Sequence, residues 1–196
     1  MKSERAEATA RKYVGALARG YEEKRVPQEK WKAEERVLTN MVSKLPLGLN
    51  VLDVPVGTGR FLPFYSMRQF TVTGLDISDD MLKEAELKGP FENTELSYGD
   101  IFNLKCPDRF FDLSISIRIM NLIGAEDLPS VFSELCRVTK SDIIFNLRVD
   151  ENDGRFKNAR DLSDIIKIVT PKGWGILENV EIHEPSFRMI RLHRSS

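Results

Sequence analysis

Short strand-like segments alternate with helical segments from residue 50 onward, and this alternation constrains the fold more than any other feature of the chain. Five segments are short, apolar and mostly rich in branched side chains, as β-strands are. They span residues 50–54, 70–75, 96–98, 111–117 and 143–147. Because strands joined through helices usually lie parallel in one sheet, the pattern predicts a mainly parallel α/β sheet with helices on both faces.

Capping residues and apolar spacing mark the helices between these segments. Ser78 is placed to cap a helix that extends to about residue 88, and Asp79 and Asp80 suit the positive end of its dipole. Asp161 is placed to cap a later helix. Two stripes have one-face helical spacing, namely Leu128, Val131, Phe132, Leu135 and Val138, and then Leu162, Ile165, Ile166 and Val169.

Two further strand candidates close the pattern without a helix between them. Residues 176–182 and 187–193 are joined by a short turn that contains Pro185. A connection this short favours an antiparallel hairpin. We therefore expect a three-layer α/β sandwich around a mainly parallel seven-stranded sheet that ends in an antiparallel hairpin.

Length and composition fit one compact domain, spanning residues 1–196. Of the 196 residues, 41% are hydrophobic and 30% charged, and no apolar run approaches the roughly 20 residues of a membrane helix. Cys106 and Cys136 are too few for a disulfide framework and lack zinc-ligand spacing. The charged N-terminal residues lack the apolar core of a secretory signal, so we expect a cytoplasmic protein.

Residues 1–45 precede the alternating pattern and predict two helices divided at Pro27. The apolar stripes are Tyr13, Val14, Leu17 and Tyr21 in the first helix and Trp31, Leu38, Met41, Val42 and Leu45 in the second. Residues 2–36 hold ten Lys or Arg against seven Glu, a surplus that a solvated helix face explains. The formal net charge of −1 makes nucleic acid an unexpected partner.

The loop after the first strand is the most unusual part of the chain. Gly57 and Gly59 allow the backbone between residues 53 and 61 to approach a ligand closely. Asp76 ends the second strand, where a carboxylate can accept both hydroxyls of a ribose, and Asp100 follows the third strand. In a parallel sheet these acids meet at one edge, where ligands bind.

Taken together, the motifs resemble those of the class I S-adenosylmethionine (SAM)-dependent methyltransferases over about residues 35–193. The family's first motif matches residues 53–59, its ribose-binding acid matches Asp76, and its adenine-side acid matches Asp100. The resemblance implies a Rossmann-like fold, SAM as cofactor and S-adenosylhomocysteine (SAH) as product. Pro55 is a departure, because the family usually has its first glycine there.

The resemblance also implies which residues contact the cofactor. Asp53 is expected near the methionine amino group, while Tyr21 and Arg25, one helical turn apart, are placed to meet the methionine carboxylate. The full expected cofactor set is Asp53, Pro55, Gly57, Thr58, Gly59, Asp76, Ile77, Met81, Asp100, Ile101, Arg118, Tyr21 and Arg25. Trp31 and Asn121 are the candidate substrate contacts, and the helices of residues 1–45 are expected to form a lid.

Other nucleotide-binding classes fit the loop less well. A dinucleotide fingerprint requires a third glycine at residue 60, 61 or 62, where the chain has Arg60, Phe61 and Leu62. No Gly-Lys-Ser/Thr follows the glycines, so a P-loop is excluded. The Asn/Asp-Pro-Pro-aromatic motif of resembling DNA amino methyltransferases is also missing.

The expected function is transfer of a methyl group from SAM to a small-molecule acceptor. SAM carries an already activated methyl group, so no acid–base residue is obligatory; we assign no catalytic residue and expect no metal. Two alternatives stay open. One is a SAM- or SAH-binding protein without transferase activity, and the other is an RNA or protein methyltransferase.

Overall fold

The computed structural model describes residues 15, 18, 20–149 and 161–195. The α-helices are α1 (Glu29–Ser43), α2 (Leu62–Met67), α3 (Asp79–Glu86), α4 (Leu128–Val138) and α5 (Leu162–Val169). The strands are β1 (Asn50–Asp53), β2 (Thr71–Asp76), β3 (Thr94–Tyr98), β4 (Phe111–Ser116), β5 (Thr139–Arg148), β6 (Trp174–Glu181) and β7 (Phe187–Arg194). Short 3-10 turns at Ala125–Asp127 and Thr170–Lys172 flank α4 and α5.

All seven strands form one sheet in the order β3-β2-β1-β4-β5-β7-β6. β1 pairs in parallel with both β2 and β4, and β4 pairs in parallel with β5. β7 pairs antiparallel with β5 and β6. The predicted mainly parallel sheet with a closing antiparallel hairpin is confirmed. The order reverses between β1 and β4, so their carboxyl ends border the crevice in which such sheets bind ligands.

Two separate apolar clusters cover the two faces of the sheet, which gives the three layers. One cluster joins the sheet to α1, α2 and α3 and includes Leu38, Tyr65 and Ala85. The other joins it to α4 and α5 and includes Phe132 and Ile165. Side chains alternate between the clusters along β5 because successive residues of a strand point to opposite faces.

Helix ends follow the predicted capping residues. The Ser78 hydroxyl accepts a hydrogen bond from the Met81 backbone N–H, and the Asp161 carboxylate accepts one from Ser163. α3 ends at Glu86, two residues before its predicted end. Residues 99–110, which join β3 to β4, form turns and bends, so the alternation of strands and helices lapses there.

The N-terminal region is described only in part. Of the first predicted helix, Tyr13, Val14 and Leu17 lie outside the described residues, and residues 20–27, which include Tyr21, form turns and not the predicted helix. The second predicted helix is α1, which begins after Pro27. It packs Leu38, Met41 and Val42 against the sheet, and Trp31 is buried at its first turn. None of the described helices combines the length and apolar character that crossing a membrane requires.

Candidate cofactor and active site

The loop after β1 is held to both neighbouring strands by its own backbone. The Val54 N–H donates to the Ile115 carbonyl of β4 at 3.0 Å, and the Val56 N–H donates to the Leu75 carbonyl of β2 at 2.8 Å. Pro55 lies between these two hydrogen bonds. Because neither bond uses the N–H of residue 55, a proline there removes no hydrogen bond from the loop. The proline in the first motif is therefore compatible with a loop that stays fixed at the carboxyl edge of the sheet.

The two glycines of this loop have different roles. Gly57 and Gly59 both have a positive φ, at 57° and 70°. A Cβ on Gly59 would lie 2.7 Å from Leu62 Cδ1 and 3.0 Å from Ala85 Cβ, whereas a Cβ on Gly57 would meet nothing within 4 Å. Gly59 therefore permits close packing of the loop on α3, and Gly57 leaves open space beside the loop.

Asp53 ends β1 and has a buried side chain with few polar neighbours. The Tyr65 hydroxyl donates to Asp53 Oδ2 at 3.2 Å. Burial raises the pKa of Asp53 to about 8; the Tyr65 hydrogen bond opposes this shift, and the charge of Asp76 adds to it. Among the described residues no basic side chain forms an ion pair with Asp53, so the site holds a buried carboxyl group without a cation.

Asp76 ends β2 and faces the same loop. Its Oδ2 accepts from the Gly57 N–H and its Oδ1 from the Ser78 N–H, both at 2.9 Å. Burial raises the pKa of Asp76 to about 6, although the backbone hydrogen bonds partly counter this rise. These bonds fix the carboxylate at the start of α3 and tie it to the glycine loop.

A cavity of about 760 Å³, including the part open to solvent, lies over the carboxyl ends of β1, β2 and β4. Ten of the predicted cofactor and substrate residues line it, namely Tyr21, Trp31, Asp53, Pro55, Gly57, Thr58, Asp76, Ile77, Met81 and Arg118. Its other lining residues are Val56, Arg60, Phe61, Ser78, Ile117, Ile119 and Leu122. Segments more than 100 residues apart in the sequence thus line the same cavity.

Five predicted site residues do not line this cavity. Gly59 packs against α3, and Arg25 lies over the Tyr21 ring, 3.7 Å from its centroid. Asn121 accepts from the Arg148 N–H at 3.1 Å. Asp100 accepts from the Phe102 N–H and lines a separate groove beside β3, and Ile101 is buried in the core. A short side chain bonded to the backbone two residues on is typical of a turn, which accounts for the position of Asp100.

Glu34 is a functional candidate that the sequence analysis missed. It is fully buried, and its carboxylate accepts from Arg60 Nη1 at 2.7 Å, from Arg118 Nε at 2.7 Å and from Asn146 Nδ2 at 2.6 Å. A signal was present in the sequence, because an acid three residues after Trp31 and four before Leu38 lies on the apolar face of α1. A buried carboxylate on such a face requires cationic partners.

Trp31 lies beside both of these arginines. The guanidinium carbons of Arg60 and Arg118 are 3.6 Å and 4.6 Å from the centroid of its ring, and Arg60 also donates to the Trp31 carbonyl. Tyr21 contacts the Trp31 ring edge-on, with the centroids 6.2 Å apart. Trp31 is thus fixed at the cavity wall by cation–π and aromatic contacts.

No group of three or more potential metal ligands occurs among the described residues. Cys106 and Cys136 are both free thiols, and burial raises the pKa of Cys136 to about 12, which keeps it protonated. The polar groups of the cavity are carboxylates, backbone amides and guanidinium groups, which suit an organic ligand with hydroxyl and charged groups.

The strand order, the closing antiparallel hairpin and the acids after β1 and β2 define the fold class of the SAM-dependent methyltransferases. Residues 51–142 match a family model described as a methyltransferase domain. The magnesium protoporphyrin IX methyltransferase of Synechocystis PCC 6803, solved with bound SAH, has the same fold, with a TM-score of 0.82 at 17% identity over 98% of this chain and 100% of that one.

Curated relatives agree with this classification. A phosphatidylethanolamine N-methyltransferase of Cereibacter sphaeroides is 37% identical over 50% of this chain and 51% of that protein. A demethylmenaquinone methyltransferase of Listeria monocytogenes is 33% identical over 57% of this chain and 47% of that protein. The chain spans about half the length of these relatives. These similarities support a relation to the class I SAM-dependent methyltransferases, which the chain resembles over residues 51–142.

Proposed function

We propose that this protein transfers a methyl group from SAM to a small-molecule acceptor. The observation that carries the proposal is the pair of buried carboxyl groups, Asp53 and Asp76, at the carboxyl ends of β1 and β2 beside the glycine loop. Similarity to methyltransferases over residues 51–142 supports the reaction class, and the residues described below support the fit to the cofactor.

The charges and hydrogen-bonding groups of the cavity suit SAM. Asp53 is buried without a cationic partner among the described side chains, which raises its pKa, and the sulfonium and ammonium groups of SAM would stabilise its ionised form. A carboxylate has about four lone-pair positions, so the bonds from Gly57 and Ser78 leave Asp76 able to accept from ribose hydroxyls. Ile77 and Met81 line the same wall and offer apolar contact to adenine.

SAM supplies an activated methyl group when it is bound, and the task of the chain is to align the acceptor and exclude water. Trp31, Ile117 and Ile119 give the β4 side of the cavity an apolar, water-excluding wall. Arg118 is held rigidly there, because its backbone N–H donates to Asn146 Oδ1 at 2.7 Å and its Nε donates to Glu34. We assign no general base.

A small molecule is the acceptor class that the cavity favours. Tyr21 and Trp31 from the N-terminal region form part of the cavity wall, which supports an acceptor site partly enclosed by this region. The relatives named above are a phosphatidylethanolamine and a demethylmenaquinone methyltransferase. Their acceptors differ in chemistry, so they support the broad class of small organic acceptors and leave the particular one to experiment.

The N-terminal residues form a lid in this proposal, and the whole chain acts as one methyltransferase domain. A contact between the Thr58 hydroxyl and Glu22, and an ion pair between Glu22 and Lys88, join this region to the glycine loop and to the end of α3. The Gly15 N–H donates to Asp80 Oδ2 at 2.7 Å. These contacts support a lid over the expected adenosine and methionine positions.

Calorimetric titration with SAM and with SAH tests the proposal. We expect both to bind the wild-type protein and an Asp79→Ala control, whose side chain is exposed at the start of α3, and neither to bind detectably to Asp76→Ala. A folded wild-type protein that binds neither ligand would contradict the proposal. Binding without formation of SAH across a broad panel of acceptors would instead indicate a SAM-binding protein without transferase activity.

Tryptophan fluorescence tests the lid separately. The chain has two tryptophans, and a Trp174→Phe variant leaves only Trp31 at the cavity wall. We expect SAH to change the emission of this variant in a saturable way. A Trp31→Phe variant, which keeps only the distant Trp174, is the control and should show no change; the same response in both variants would argue against a lid at Trp31.

A further inference from the structure

Arg118 lies in the candidate site just beyond the carboxyl end of β4. β1 pairs with β2 on one side and with β4 on the other. Asp76 and Arg118 therefore lie on opposite sides of Asp53. If the cofactor extends from Asp76 to Asp53, as the proposed function requires, Arg118 faces the space beyond the transferable methyl group.

The guanidinium of Arg118 is fixed by one nitrogen only. Its Nε donates to both carboxylate oxygens of Glu34, at 3.0 Å and 2.7 Å. Its terminal Nη1 and Nη2 groups donate no hydrogen bond to any residue of the described chain, although Arg118 lines the cavity. Four N–H donors of a firmly oriented guanidinium are thus available to a ligand.

The charge around Arg118 is not balanced by its acidic neighbours. Glu34 is shared between Arg118 and Arg60, and Glu35 reaches only Arg60, at 3.3 Å, from a half-exposed position. Lys30 lies nearby and pairs with Glu184 at 3.4 Å, but Glu184 also pairs with Arg148, so this acid is shared by two cations. Burial lowers the pKa of Lys30, and the charges of Arg148 and Arg118 lower it further, against the raising effect of Glu184. The potential at this end of the cavity favours an anion.

The surrounding wall is apolar. Trp31, Ile117 and Ile119 are buried side chains that line the cavity next to Arg118, and Leu122 lines it from a partly exposed position. An apolar wall beside the oriented guanidinium of Arg118 is complementary to a molecule that combines an apolar body with an anionic group.

We propose that the methyl acceptor is an apolar molecule bearing a carboxylate-like anionic group, which Arg118 binds while Trp31 and the isoleucines of the β4 end contact the apolar part. This inference rests on the proposed function, which supplies the position of the cofactor. Glu34 and Asn146 act as positioning residues, since they orient Arg118 from α1 and β5 without reaching the acceptor.

Binding of a matched pair of probes tests the proposal. Naphthalene-2-carboxylate and naphthalene-2-carboxamide have the same size and shape and differ in charge. We expect the carboxylate to bind the SAH-loaded protein about tenfold more tightly than the carboxamide, as charge-assisted hydrogen bonds predict. The preference should fall to about one in Arg118→Met and survive in Arg36→Met, which removes an exposed arginine of α1.

Three results separate this inference from the proposed function. Normal SAH binding with equal affinity for the two probes would overturn the acceptor assignment and leave the proposed function standing. Loss of SAH binding in Arg118→Met, as severe as in Asp76→Ala, would also overturn it, because the anion at Arg118 would then be the methionine carboxylate. Absence of SAH binding in the wild type would contradict the proposed function. To test the anion site independently of SAH, the probes are also titrated into ligand-free protein, where the preference for the carboxylate should persist and should still depend on Arg118.

The Arg118→Lys variant is a control for misfolding of Arg118→Met. It keeps the positive charge but replaces a planar group of several donors by a single ammonium. We expect it to fold as the wild type does, to retain SAH binding, and to keep a reduced preference for the carboxylate. A carboxylate preference in Arg118→Lys equal to that of a folded Arg118→Met would show that charge at this position does not recognise the acceptor.

Discussion

Glu34 Oε2 lies 2.7 Å from Arg118 Nε, and this contact joins α1 to the carboxyl end of β4. The carboxylate is fully buried and the guanidinium lines the cavity. Because Arg60 and Asn146 bind the same carboxylate, one acid connects the N-terminal helix to the glycine loop, to β4 and to β5. The buried contacts of α1 at the cavity and the orientation of Arg118 therefore share a single side chain.

The buried carboxylate of Glu34 should contribute strongly to the stability of the folded protein. Glu34→Ala leaves two arginines without their buried counter-charge, so the free energy of unfolding should fall by about 3 kcal/mol or more. Glu35→Ala is the matched control, because Glu35 is exposed and adjacent, and it should change by no more than about 0.5 kcal/mol. Urea denaturation measures both variants. Equal effects would show that the Glu34 network adds no stability of its own.

Substitution of the two loop glycines should separate folding from binding. In Gly59→Ala the new Cβ meets Leu62 and Ala85 at 3.0 Å or less, so the steric clash adds to the cost of about 1–2 kcal/mol for a positive φ. Gly57→Ala bears only the φ cost, but its Cβ enters the open space of the cavity.

We therefore expect Gly59→Ala to lose more stability than Gly57→Ala in thermal unfolding. Gly57→Ala, while still folded, should weaken SAH binding at least tenfold in a calorimetric titration. A Gly57→Ala variant that binds SAH as the wild type does would indicate that the cofactor does not approach this part of the loop.

Stability should fall as the pH rises through the range in which Asp53 titrates. The pKa of Asp53 is raised to about 8 and that of Asp76 to about 6, whereas aspartates of an unfolded chain titrate near 4. Between pH 4 and pH 8 the folded protein therefore binds more protons than the unfolded chain, so the free energy of unfolding decreases with increasing pH. The contribution of Asp76 is complete by about pH 6, and that of Asp53 continues to about pH 8.

The matched variant for this effect is Asp53→Asn, which resembles the protonated acid and keeps an oxygen for the Tyr65 hydroxyl. Denaturation at pH 5, 6, 7 and 8 should show Asp53→Asn gaining stability relative to the wild type as the pH rises. Parallel curves for the two proteins would mean that Asp53 titrates equally in the folded and unfolded states.

The cap of α3 gives a smaller, local effect. The Ser78 hydroxyl accepts from the Met81 N–H at 3.3 Å, so Ser78→Ala should lower the free energy of unfolding by about 1 kcal/mol. Ser130→Ala, at an exposed position of α4, removes a hydroxyl from a helix without removing its cap and should be neutral or slightly stabilising. A loss in Ser130→Ala equal to that in Ser78→Ala would contradict a capping role for Ser78.

Local patterns were sufficient for most of the fold. The predicted caps at Ser78 and Asp161 and the stripe from Leu128 to Val138 correspond to helices, because capping and helical spacing are properties of neighbouring residues. The ends of the strands were predicted less accurately. β5 extends from Thr139 to Arg148, whereas its apolar centre alone was predicted, since pairing with β4 and β7 carries the polar ends into the sheet.

The positions of Asp100 and Asn121 depend on loop paths that the sequence does not encode in any short pattern. Asp100 follows β3 as predicted, but its carboxylate binds the backbone of its own turn and faces a groove apart from the cavity. Asn121 instead binds the backbone at the end of β5. Both side chains have a local hydrogen-bonding alternative, and the path of the loop selects it.

The sequence by itself determined the class of fold, the glycine loop and the two acids at the ends of β1 and β2, because strand period, helix period and motif spacing are all local in the chain. Only the tertiary structure decided that Glu34, Arg60, Arg118 and Asn146 meet around Trp31. These residues come from four separate elements. Their contact results from sheet order and helix docking, since a buried carboxylate is stable only where the fold brings cationic and hydrogen-bonding partners to it.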